Sequence, residues 1–171
     1  AIWHYARALA FAAKDKTEDA KKEHTQLEKI VKSMPSDRMI MGRNAAQKLL
    51  TIASNVVAGE LAAKQGNTDE AVRYLEEAVQ VQDSLAYNEP PAWYYPVRQS
   101  LGAVLLAAGK NTKAEQVYRK DLEQYQDNGW SLYGVAQSLR AQGKKKDAKA
   151  IEEQFKKAWN KADVKLAASQ F

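Results

Sequence analysis

Three times in this 171-residue chain a glycine that closes an apolar-periodic stretch is followed five residues later by an alanine: Gly66 and Ala71, Gly109 and Ala114, Gly143 and Ala148. The alanine lies each time in the next stretch with helical spacing of apolar residues. The last two glycines are 34 residues apart, and the first two are 43 apart, which is 34 plus a nine-residue insertion over 84–92. A glycine just past a helix end takes the left-handed conformation at little cost and stops the helix. Asn67-Thr68, Asn111-Thr112 and Lys144–Lys146 then make the turn, with Thr68 or Asp69 expected to cap the first return helix. The small alanine lets that helix approach its partner closely. A lone hairpin of this kind cannot bury its apolar face, so the period predicts stacked hairpins.

Composition agrees. Eight glycines and four prolines stand against 29 alanines, the best helix former. There is no cysteine, which removes thiol nucleophiles, zinc-finger ligands and disulfides together. No apolar run approaches the ~20 residues of a spanning helix. The chain starts without Met and without an N-cap, so it is expected to be the C-terminal part of a longer protein, cytoplasmic or periplasmic.

At these residues the chain resembles the tetratricopeptide repeat family. Its frame places the small Gly59, Gly102 and Ala136 in first helices, and Leu75, Tyr118 and Glu152 in second helices. Asp121 and Glu152 depart from the family pattern, as terminal repeats do. A weaker leading unit carries Ala8 and Ala20, with Asp15 where glycine would stand. The expected fold is all-α: a right-handed α-solenoid of antiparallel hairpins over 1–34, 52–85, 95–128 and 129–162. That makes about eight helices plus a C-terminal cap near 162–169. EPPAWYYPVR is similar to a segment of bacterial tetratricopeptide proteins of undefined activity.

Catalytic constellations are missing. His4 and His24 have no metal-ligand spacing, and no phosphate loop or nucleophile elbow is present. No cofactor, metal or catalytic residue is expected. The resemblance implies a concave groove lined by Tyr5, Glu60, Gln99, Trp130, Tyr133, Gln137 and Arg140, with Arg98 beside it. Val56, Gln99 and Tyr133 occupy places where a carboxylate clamp for chaperone tails wants Lys and Asn, so that partner is not expected. His4, Trp93 and Tyr94 form a candidate aromatic ligand platform, although aromatics at a helix start more often seal a neighbouring hairpin.

Charge is local. Residues 140–171 hold nine basic and four acidic side chains, which accounts for the whole net charge of +5. Acids within that stripe read as a solvated helix with Glu152–Lys156 and Glu153–Lys157 pairs, so neither nucleic acid nor a membrane is an expected partner. The leading expectation is a non-enzymatic scaffold that holds a protein or peptide in its groove. The alternative is a helical domain of a larger enzyme or ligand-binding protein, with active residues upstream or near His4 and Trp93.

Overall fold

The computed structural model describes residues 1–40 and 42–170. Among them the chain forms eight α-helices: α1 (Ile2–Ala13), α2 (Thr17–Ser33), α3 (Ala46–Lys64), α4 (Thr68–Asp83), α5 (Val97–Ala107), α6 (Asn111–Gln124), α7 (Gly129–Ala141) and α8 (Lys145–Ala158). A minimal antiparallel bridge pairs β1 (Met39–Ile40) with β2 (Asn44–Ala45) between α2 and α3. Two compact units divide the chain, unit 1 over Ala1–Val97 and unit 2 over Arg98–Phe171. In unit 1, α1 packs on α2 and α3, and α3 packs on α4. In unit 2, α7 packs between α6 and α8.

Four turns share one backbone geometry, one in each helix pair. Asp15, Gly66, Gly109 and Gly143 all have positive φ, from 57° to 79°. The residue after each donates its N–H to the carbonyl five positions back: Lys16 to Phe11, Asn67 to Ala62, Lys110 to Leu105 and Lys144 to Leu139, each at 2.9 Å. The turn residue itself donates to Ala12, Ala63, Leu106 or Arg140 at 2.9–3.1 Å. This is the Schellman arrangement, which satisfies the last carbonyls of a helix. Asp15 adopts it at a cost of roughly 1–2 kcal/mol that glycine would avoid. Five residues beyond each turn stands a fully packed alanine: Ala20, Ala71, Ala114 and Ala148 are at most 1% exposed.

Two local expectations shift. The cap of α4 is Asn67, and Thr68 is already its first helical residue. The last helix ends at Ala158, so residues 159–170 form an irregular tail.

Small residues set the packing distance. A Cβ on Gly59 would lie 2.7 Å from Cγ of Leu75, so α3 and α4 meet at van der Waals limits. In unit 2, Tyr118 of α6 lies against glycines of two other helices: a Cβ on Gly102 of α5 or Gly134 of α7 would fall 2.3 or 2.4 Å from its Cζ. Tyr118 is wholly buried.

Candidate functional site

In unit 1 the insertion folds back onto α1. Pro90 and Pro91 cannot continue a helix, and amide side chains hold the loop at both ends. The Asn44 amide donates to the Ala86 carbonyl at 3.0 Å and accepts from the Ala86 N–H at 2.8 Å. Gln82 donates to the Tyr95 carbonyl at 3.0 Å and accepts from Val97 N–H at 2.9 Å. Trp93, between these clamps, is 6% exposed and meets the Tyr5 ring edge-on at 5.5 Å. The Tyr5 and Tyr94 hydroxyls share a hydrogen bond of 3.0 Å. Burial, with Tyr95 and Tyr94 beside it, pushes the Tyr5 phenol far above its ordinary range, so it stays neutral. Two members of the expected platform therefore part company: Trp93 seals α1, while Tyr94 is 68% exposed.

His4 belongs to a different cluster. Its Nδ1–H donates to Glu23 Oε2 at 2.6 Å, and Arg7 Nε donates to Oε1 of the same carboxylate at 2.8 Å. The His4 and then the Arg7 hydrogen bonds hold the Glu23 carboxyl below its usual range. The Arg7 guanidinium lies 4.3 Å from the Trp3 ring centroid and 5.1 Å from that of Phe11. Among the described residues no three His, Asp or Glu side chains come together to hold a metal ion. Glu60 is half-buried on α3.

In unit 2, Trp130, Tyr133, Gln137 and Arg140 share one face of α7, as a three-or-four-residue spacing requires. The first three are half-buried and Arg140 is exposed. One edge of this face meets α8: Trp130 contacts Trp159 edge-on at 5.8 Å, Tyr133 meets Phe155 at 5.8 Å, and Arg140 Nε donates to Glu152 Oε1. Gln99 is buried and Arg98 half-buried on α5. The Arg140 bond uses the glutamate that the sequence paired with Lys156, and Lys156 instead meets Glu153 at 2.8 Å. Lys145, Lys146, Lys149 and Lys157 lie exposed along α8.

Sequence reasoning did not find the polar layer one turn along α6 from Tyr118. Asp121 is 1% exposed. Its Oδ2 accepts from Ser131 Oγ at 2.5 Å, while Oδ1 is buried without a partner. Burial raises the Asp121 carboxyl, and Ser131, Arg98 and Gln99 offset that only in part. A raised folded value means that the native state binds more protons than the unfolded chain. Stability therefore falls as pH rises from the ordinary carboxylate range through the folded value. Asp121→Asn removes the ionisation and keeps an oxygen for Ser131. It should raise the unit 2 melting temperature at pH 7 by about 4–8 °C, the equivalent of roughly 1 kcal/mol in a unit of this size. The gain should vanish near pH 3, and a scanning calorimetry series that shows no gain at pH 7 would refute the assignment.

The tail also meets unit 2 from a side the sequence did not anticipate. Trp159 packs on Gly129, where a Cβ would lie 2.1 Å from its ring. Its Nε1–H donates to the Val164 carbonyl at 2.7 Å. Ser169, five residues on from Val164, is 3% exposed and its hydroxyl shares a buried hydrogen bond with Tyr118 Oη. The repeat frame places Tyr118 in a second helix and says nothing of its hydroxyl, which was the available signal.

Compared with known proteins, the chain matches no family model and no curated sequence.

Proposed function

We propose that this chain is a tetratricopeptide-type repeat array of solenoid design that binds a protein or peptide segment and carries out no chemistry. One observation supports the reading above the others: four helix pairs repeat one Schellman turn and one buried alanine, including at Asp15, where the sequence lacks glycine. Repeated hairpins that differ mainly in their outward residues are a design for presenting surfaces. On α7 that surface is aromatic, amide and guanidinium: Trp130, Tyr133, Gln137 and Arg140. Such residues give recognition area and directional hydrogen bonds.

Replacing Tyr133 and Arg140 together with Ala should reduce partner capture by the immobilised chain at least tenfold, the loss expected from two interface anchors. Both side chains also touch α8, so helicity and melting must be measured on the same preparation. Undiminished capture by a folded variant would remove the α7 face from the binding surface.

A further inference from the structure

The tail of unit 2 has the contacts of a ligand more than those of a core element. Of residues 160–168, only Leu166 is shielded even partly from solvent, and the segment forms no helix. It is fastened at two points: the Trp159 indole N–H on the Val164 carbonyl, and the buried Ser169 hydroxyl on Tyr118. The receiving side is built without it. The Tyr118 ring is fixed by the slot between Gly102 and Gly134, and this leaves only the hydroxyl at its far end to be satisfied. The fit at the end of the segment is incomplete, since Gln170 Oε1 is buried without a donor. A segment with few buried contacts opens at low free energy compared with the helices beneath it.

We propose that the Tyr118 hydroxyl and the α5–α7 surface around it form a peptide-binding seat whose resident ligand is the chain's own segment 163–170, recognised in non-helical form through a small hydroxyl side chain. The seat is closed to other segments until the tail leaves. This rests on reading the face as a peptide groove, and it adds the ligand chemistry and the means of control. An arriving segment must offer a Ser-like hydroxyl to Tyr118, because a buried phenol without a partner is unfavourable.

The test uses the full chain and a fluorescent synthetic peptide of residues 163–171. A Ser169→Arg chain places a charged, bulky side chain at a 3% exposed position, so its own tail is expelled. It should bind the peptide at least tenfold more tightly than the wild-type chain does. The same peptide carrying Ser169→Arg should bind neither chain. Equal affinity of the two chains, or tight binding of the altered peptide, overturns the proposal. Should the arginine variant lose helix content, Tyr118→Phe serves instead, because it keeps the ring in its slot and removes only the hydroxyl. Trypsin cleavage after Lys165 in that full chain should accelerate at least fivefold, and an unchanged rate overturns the proposal. If the peptide results hold while Tyr133 and Arg140 prove dispensable for capture, the seat stands and the wider groove reading fails.

Discussion

Tyr118→Ala should cost unit 2 about 3–5 kcal/mol, the range for deleting a buried aromatic ring. The site cannot collapse around the loss. The two nearest helices present glycine at the ring, so no side chain can swing into the space. The Ser169 hydroxyl is also stranded. Urea denaturation followed by hydrogen exchange in α5, α6 and α7 would measure the effect; a loss below about 1 kcal/mol would mean that the slot closes after all. The mirror experiment sharpens the argument. Gly134→Ala alone brings a Cβ to 2.4 Å from the ring and should destabilise by about 1–3 kcal/mol through overpacking. In the Tyr118→Ala background the same change should become favourable by up to about 1 kcal/mol, since alanine is the better helix residue. A sign reversal of this kind is hard to obtain unless the two residues share one space.

The second large effect lies in unit 1. Trp93→Ala should cost about 3–5 kcal/mol and release the 84–96 loop, because Trp93 is the buried side chain that joins the loop to Tyr5. The readouts are a lowered unit 1 melting transition and faster exchange at the Ala86 and Val97 amides, whose acceptors are side chains. Trp93→Phe should be far milder. The indole Nε1 is buried without an acceptor, so its removal relieves roughly 1–3 kcal/mol of desolvation against the area lost. Equal losses for Ala and Phe would show that the nitrogen has a role the geometry does not reveal.

The fold was legible where one residue type has one physical job. Gly66, Gly109 and Gly143 mark turns because their backbone conformation excludes most side chains, and Ala71, Ala114 and Ala148 mark close helix contact. Asp15 shows the limit of that code. A left-handed residue that is not glycine gives no compositional signal, and only the alignment with Ala20 exposed it. The α4 cap moved by one residue because no side-chain oxygen bonds there, which leaves Asn67 and Thr68 equivalent to propensity. Sites were less legible because their residues act at long range. Trp93 and Tyr94 are adjacent in sequence yet one is buried and the other exposed. Gln82 and Asn44 look like surface amides, and nothing local says that each clamps a loop. Tyr118 carried the right size for a core position, but the meaning of its hydroxyl depended on a serine 51 residues away.

The clamped loop has a consequence for how the protein is made. Most helix packing in unit 1 joins sequence neighbours, and such contacts can form as each hairpin leaves the ribosome. The Tyr5 bond to Tyr94 cannot, because its partners are separated by 89 residues. At roughly 5–20 residues per second, α1 spends on the order of ten seconds with that edge uncovered, long after its own hairpin can close. Of the unit 1 helices, α1 leaves the ribosome first and is thus among the last to be finished.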